Sequence, residues 1–242
     1  MKSFKFKQFH VQQDIAAMKV GTDGVLLGAW VDLDFNPYSI LDVGAGTGIL
    51  SLMIAQRLSE KTGHFEIEAI EIEEGAYEEC VVNFEQSPWR EQIYAYHASL
   101  IEFAQEVEET FDFIICNPPF YTNFESDEIT PRSLARSAEF MPLEHIFAAF
   151  KKLSQPQTGQ WAIILPYEQE EMAMALAELY EFHLQKVLYV KGNPDSPIKR
   201  ICLQFGQEKI EKPKQDSLII ETERHQYTEA YRELVKDFYL DL

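Results

Sequence analysis

Two short stretches of this chain carry side chains whose types and spacing suit chemistry. The first is Asn117-Pro118-Pro119-Phe120, directly after the strongly apolar run Phe111 to Cys116. The Asn117 side-chain oxygen and the Pro118 carbonyl are two hydrogen-bond acceptors close together in the chain. The consecutive prolines fix the backbone and supply no N–H to compete. Two such acceptors can bind both N–H groups of a planar amine and let its delocalised lone pair turn out of the ring plane. Phe120 can stack on a base, a contact worth ~1–3 kcal/mol. The second stretch, Ile40 to Leu50, reads ILDVGAGTGIL: an apolar run into Asp42, then Gly44, Gly46 and Gly48, then helical spacing. Glycines permit unusual backbone angles and the close approach of a ligand. Glu71 ends the next apolar segment, where an acid can accept hydrogen bonds from both hydroxyls of a ribose.

Positioning these groups requires a frame, and the periodicity supplies one. Alternation over Phe4, Phe6, Phe9 and Val11 predicts a short strand or extended arm. Thr22 or Asp23 can cap a helix carrying Val25, Leu26, Leu27 and Trp30. From Ser39 a rhythm begins, with strands expected over 39–43, 66–72, 92–97, 111–116 and 160–165 and helices over 49–58, 76–84, 143–153 and 168–180. Strands alternating with helices predict a parallel α/β sheet with helices on both faces. Two further strands, 184–190 and 200–205, are joined by Lys191 to Pro197. That link is too short and turn-rich for a crossover helix, so the pair is expected to be antiparallel. The expectation is a seven-stranded, mostly parallel sheet with a C-terminal antiparallel hairpin. A small strand over 217–220 and a helix over 227–239 follow it.

Composition bounds the classes. The 242 residues, 46% hydrophobic, can fill one core. A net charge of -19 argues against a polyphosphate partner, because binding one relies on cations that release counterions. The distribution tempers this. Lys2, Lys5 and Lys7 cluster, as do Lys186, Lys191, Lys199 and Arg200, while Arg132 and Arg136 follow the proline motif. The acids concentrate in Glu66 to Glu79, Glu102 to Asp112 and Glu168 to Glu181, and read as solvated faces. Cys80, Cys116 and Cys202 form no CxxC pair, so neither a disulfide framework nor a zinc site is expected. No run approaches the ~20 apolar residues of a membrane span. The basic, aromatic N-terminus lacks the apolar region of a signal peptide, and the cytoplasm is the expected compartment.

The glycine spacing is G-x-G-x-G, unlike the G-x-G-x-x-G of dinucleotide folds. With an acid two residues ahead, it resembles motif I of the class I methyltransferases, which have a Rossmann-like fold and bind S-adenosyl-L-methionine. The resemblance implies that Asp42 helps hold the cationic methionine end of the cofactor, partly through water, and that Glu71 holds the ribose. Where that family places an acid for the cofactor's adenine, this chain has Ser99, whose hydroxyl can accept a hydrogen bond. Asn117 to Phe120 resembles the N/D-P-P-Y/F motif of methyltransferases that act on planar nitrogen: adenine and cytosine amines and glutamine amides. Asn117, Pro118 and Phe120 are then the catalytic residues, with Asn117 also bordering the cofactor. The methyl passes in line from sulfur to nitrogen, and neither a metal nor a covalent nucleophile is required.

Residues Phe6 to Trp30 (FKQFHVQQDIAAMKVGTDGVLLGAW) and Lys191 to Arg200 (KGNPDSPIKR) narrow the resemblance to the bacterial valine-tRNA adenine-N6 methyltransferases. That family targets an adenine beside the anticodon, and the likeness runs to about Gln207. It implies a tRNA partner, no membrane, no metal, and a monomer. Lys19 and Thr22, with Val20 and Gly21, would border the methionine end. Lys5, Lys7, Arg132, Arg136, Lys199 and Arg200 are candidate phosphate contacts, Phe120 the contact to the base, and Tyr121 to Phe140 a substrate lid. The chain then divides into an arm and helix closing the cofactor pocket (1–38), a methyltransferase core (39–207) and an extension packed on it (208–242). Protein glutamine N5-methylation uses the same tetrapeptide, but would bring a separate N-terminal helical domain, and the glycine motif here begins near residue 40. DNA adenine N6-methylation would need a target-recognition region for which there is little room. A cofactor-binding module without turnover is the reading outside enzymes, and Asp42, Glu71 and Asn117 argue against it.

Overall fold

A strand covered on both faces must be apolar on both, and Phe113–Cys116 is wholly buried, as a central parallel strand requires. The structure, a computed structural model, describes residues 3–16, 18–119 and 141–241. Phe120, Arg132, Arg136 and the segment Tyr121 to Phe140 lie outside the described residues.

The chain begins with a hairpin, β1 (Ser3–Lys5) and β2 (His10–Gln12), where the alternation predicted a single extended arm. The turn between them lets Phe6 and Phe9 stack at 4.7 Å, and Phe6 bridges to Tyr239 near the other end of the chain. Helix α1 (Thr22–Trp30) leads into β3 (Ser39–Val43), α2 (Ile49–Lys61), β4 (Glu66–Glu71), α3 (Glu74–Glu85), β5 (Ile93–His97), α4 (Leu100–Glu106) and β6 (Phe113–Cys116). After the undescribed segment come α5 (Leu143–Leu153), β7 (Gln160–Pro166), α6 (Glu170–Leu179), β8 (His183–Lys191), β9 (Ile198–Gly206), β10 (Lys214–Ile219), a small hairpin β11 (Glu221–Glu223) and β12 (Gln226–Tyr227), and α7 (Glu229–Val235).

The main sheet has the order β10-β8-β9-β7-β6-β3-β4-β5. β3 to β7 are parallel, and β9 runs antiparallel to both β7 and β8, as the short link before it demands. The seven expected strands are present, and the extension adds an eighth. β10 pairs in parallel with β8 from Lys214 against Lys186 to Ile219 against Lys191, which is longer than the strand the sequence suggested. Buried side chains form one cluster under α1, α2 and α3 and another under α4, α5 and α6. In the second, Trp161 lies 4.7 Å from Phe147 and 4.6 Å from Phe205.

Two helices differ from expectation. α4 was not anticipated, although Ser99 and Glu102 form a capping box at its start, a signal present in the sequence. α7 is shorter than the expected 227–239: Thr228 caps its start, accepting from Tyr231 N at 3.1 Å, and the helix gives way to a turn after Val235. No helix among the described residues is long and apolar enough to cross a membrane.

Candidate active site

β3 sits between β4 and β6, so the chain order of the sheet reverses beside it, and such switch points open a crevice at the C-terminal strand ends. A cavity of about 370 Å³ lies there, between the loop after β3, the end of β4, the end of β6 and the start of α1. Of the residues expected at the cofactor, Lys19, Thr22, Gly44, Gly46, Glu71 and Asn117 line it.

The loop Gly44 to Gly48 takes its shape from three left-handed glycines, with φ of 67°, 56° and 80° at Gly44, Gly46 and Gly48. The first two differ in purpose from the third. A Cβ on Gly44 or Gly46 would meet no other atom within 4 Å, so those positions face open space. A Cβ on Gly48 would lie 2.4 Å from Phe84 Cε1, so there the backbone rests directly on α3. Gly44 and Ala45 donate to the Ile70 carbonyl at 2.9 and 3.0 Å, and Gly46 donates to Glu71 Oε2 at 2.8 Å. Glu71 Oε1 accepts from Ile72 N and Glu73 N. The carboxylate therefore braces the loop from the far wall and keeps further lone pairs for a ligand.

Asp42 is placed differently from its expected role. It is fully buried beneath the loop and is not among the residues lining the cavity. Oδ2 accepts from Ser51 N at 3.0 Å and Ser51 Oγ at 2.7 Å, while Oδ1 is buried with no partner among the described residues. Burial pushes the carboxyl up to about 7, the Ser51 hydrogen bonds oppose that, and the nearby Glu71 charge adds to it. A raised folded-state value means the folded protein holds a proton that the unfolded chain has released. The stabilisation is fully present below about pH 4, is lost as pH rises toward 7, and stays flat above, with a total of about 4 kcal/mol. Thermal midpoints of the free protein should therefore fall more between pH 5 and pH 8 than those of Asp42→Asn. Parallel curves for the two proteins would refute this.

Asn117 follows β6, half-buried, with Oδ1 buried and without a hydrogen-bond partner among the described residues. Pro118 is buried and Pro119 lines the cavity. The start of α1 packs close by: a Cβ on Gly24 would come within 3.8 Å of Asn117 Nδ2. Cations hold the other end of α1. Arg57 donates to the Gly28 and Val31 carbonyls and Lys186 to the Trp30 carbonyl, which suits a helix C-terminus. At the N-terminal end Arg200 Nε meets Asp23 Oδ2 at 2.8 Å, so Arg200, expected at RNA phosphate, also braces α1 beside the cavity.

Ser99 borders an adjoining cavity of about 100 Å³ that shares Gly44, Ile72 and Met141 with the first. Its hydroxyl donates to Glu102 Oε2 at 2.7 Å and accepts from Glu102 N at 3.2 Å, so its first duty is to cap α4.

Of the basic candidates among the described residues, Lys199 and Arg200 are separated from Lys5 and Lys7. Lys199 is the second residue of β9, whose Arg200 pairs with Pro166 at the C-terminal end of β7, so it lies at the cavity end of the sheet. Lys5 and Lys7 do not. The arm runs beside α3, with His10 at Gln86 past its C-terminus and Ile15 against Gly75 in its first turn. A helix of twelve residues spans about 18 Å, which separates Lys5 and Lys7 from the cavity mouth. Two residues that the sequence reading missed, Glu79 and Asn83, are buried on α3 and bind the arm. Among the described residues no cluster of three or more His, Cys, Asp or Glu is placed to hold a metal ion.

Residues 25–143 match the family model described as Methyltransferase small domain. A solved structure from Agrobacterium tumefaciens, described as a predicted O-methyltransferase, superposes with a TM-score of 0.66 over 89% of this chain and 96% of that one. At 18% identity that likeness speaks for the fold alone. Among curated proteins, the tRNA1(Val) (adenine(37)-N6)-methyltransferase of Flavobacterium psychrophilum is 48% identical over 239 residues, covering 99% of this chain and 100% of the relative. The enzyme of the same name from Flavobacterium johnsoniae is 46% identical, again over 99% of this chain and 100% of the relative. With the glycine loop, the braced acid and the Asn-Pro-Pro turn around one cavity, this chain belongs to the tRNA1(Val) (adenine(37)-N6)-methyltransferase family.

Proposed function

We propose that this protein transfers a methyl group from S-adenosyl-L-methionine to N6 of an adenine in tRNA, the adenine 37 of tRNA1(Val) named for its relatives. The observation that carries the reading is Asn117 on the same cavity as the glycine loop and Glu71, with its oxygen buried and without a partner among the described residues. The residues fit the cofactor. Gly44 and Gly46 leave open space where side chains would stand, and Glu71 offers a carboxylate to a ribose. Lys19 and Thr22 line the same cavity from the N-terminal segment, and in this reading they border the methionine end. When bound, the cofactor supplies a methyl already activated on a sulfonium.

Asn117 Oδ1 and the Pro118 carbonyl accept the two N–H groups of the adenine amine and orient its lone pair toward that methyl. The amine nitrogen gains the methyl as the methyl's bond to sulfur breaks, and the surplus proton then leaves the nitrogen for water. Phe120 stacks on the base. Lys199 and Arg200, at the cavity end of the sheet, meet phosphate together with Arg132 and Arg136. A target adenine must leave its stack to reach Asn117, which is easiest in an anticodon loop. In this reading residues 1–38 close the pocket, 39–207 are the catalytic core and 208–242 brace it, and the enzyme works as a monomer in the cytoplasm.

The test is methyl transfer from labelled cofactor to unmodified tRNA, followed by nucleoside analysis. N6-methyladenosine is the expected product. Cofactor binding without label in RNA would overturn the substrate and point to a protein glutamine amide.

A further inference from the structure

Two buried polar side chains on α3, Glu79 and Asn83, have no part in the chemistry above. They stand four residues apart on one helix face and are 5% and 1% exposed. Glu79 Oε1 accepts from Asp14 N at 2.5 Å and Ile15 N at 2.7 Å, and Oε2 accepts from Ala16 N at 2.8 Å. Asn83 Oδ1 accepts from Gln12 N at 2.7 Å, and its Nδ2 donates to the carbonyls of Gln12 at 3.0 Å and Thr47 at 2.9 Å. Burying a carboxylate is costly unless it is paired, and three consecutive backbone N–H groups provide that pairing through charge-assisted bonds.

What these side chains hold is informative. Ala16 lines the large cavity, as do Met18 and Lys19 just beyond it, and Thr47 belongs to the glycine loop on the facing wall. Residues 13–16 form no strand or helix of their own, so their backbone path depends on outside partners. Ile15 also presses on the first turn of α3, where a Cβ on Gly75 would come within 2.6 Å of its Cγ2. One face of α3 therefore sets the spacing between the N-terminal wall and the loop wall of the cavity.

We infer that Glu79 is a positioning residue for the cofactor, acting through Asp14, Ile15 and Ala16 to set the N-terminal wall of its cavity. This rests on the reading of that cavity as the S-adenosyl-L-methionine site. The effect is confined to holding the cofactor, since Glu79 is not among the residues lining the cavity and Asn117 lies on another element.

The test is calorimetric titration of S-adenosylhomocysteine into the full chain and its variants, with steady-state kinetics alongside. Glu79→Ala should weaken binding about tenfold or more, as the loss of charged hydrogen bonds would give. The cofactor KM should rise in parallel while kcat at saturating cofactor changes less than about twofold. Glu79→Gln keeps an acceptor for Asp14 N and Ile15 N but sets its NH2 against Ala16 N, so its binding should lie between the parent and Glu79→Ala. If Glu79→Ala does not fold, amide exchange at Asp14, Ile15 and Ala16 in the unaltered protein replaces it, and should slow about tenfold on ligand binding. Unchanged exchange, equal affinity of Glu79→Ala and the parent, or a fall in kcat without change in cofactor KM would each overturn the inference. Failure of the unaltered protein to bind would be a different failure, removing the cofactor reading itself and this inference with it.

Discussion

Replacing Asn117 with alanine should reduce methyl transfer to tRNA by about 10²–10³-fold while leaving cofactor affinity within about threefold. The size follows from what the side chain does. An exocyclic amine spreads its lone pair into the ring, so it attacks only when both N–H groups are held and the nitrogen is turned toward the methyl. Asn117 supplies one of the two acceptors, and its Oδ1 is buried with no hydrogen-bond partner among the described residues, which leaves the oxygen open to the amine. Fixed dipoles of this kind act in the transition state more than in the ground state, so kcat should fall and the KM for tRNA should change little. Asn117→Asp retains an acceptor oxygen and should lie between the two. Single-turnover rates with saturating cofactor, combined with calorimetry, separate the terms. Full activity in Asn117→Ala would remove the residue from the mechanism, and joint loss of activity and cofactor binding would make it a cofactor contact only.

The second large effect is expected at Gly48. Alanine there should lower the thermal midpoint by about 5–15 °C, whereas alanine at Gly46 should lower it by only about 2–6 °C. Both glycines are left-handed, with φ of 80° and 56°, and a side chain at either carries the conformational cost of about 1–2 kcal/mol. Only Gly48 is also crowded. Its new Cβ would stand 2.4 Å from Phe84 Cε1 and 2.9 Å from Cys80 Sγ, and both of those side chains are buried. Overpacking of this kind adds about 1–3 kcal/mol. For Gly46→Ala the main loss should be cofactor affinity, because the methyl enters the cavity wall. Scanning calorimetry of the two variants checks the contrast, and equal midpoints would show that α3 yields to the loop instead of resisting it.

The glycine loop and the Asn117-Pro118-Pro119 turn were legible because each is a contiguous run whose requirement is local. A left-handed residue, a missing N–H, or an acid at a strand end can be read without knowing what packs nearby. The antiparallel β8–β9 pair was legible for the same reason, since seven turn-forming residues from Lys191 to Pro197 cannot hold a crossover helix. Ser99 shows the limit of such reading. Its place after β5 suggested a cofactor contact, yet the Ser-x-x-Glu spacing also encodes a capping box, which ties the hydroxyl to Glu102 at the edge of the adjoining cavity.

The charged residues divide most clearly between what sequence decides and what tertiary structure decides. Glu79 sits in an acidic run that reads as a solvated face, yet it is buried because an arm more than sixty residues earlier in the chain brings three N–H groups to it. Lys5 and Lys7 resemble Lys199 in type, but the length of α3 keeps them from the cavity mouth. Arg200 reads in the sequence as a phosphate contact alone, and the fold gives it a second duty by placing Asp23, 177 positions away, against it. By itself the sequence determined the succession of strands and helices, the left-handed glycines of the loop after β3 and the rigid Asn-Pro-Pro turn after β6, because those depend on neighbours within a few bonds. Only the tertiary structure decided which charges are buried, which are paired and which face a ligand, because a charge takes its role from the dielectric and the partners around it, and those come from distant segments of the chain.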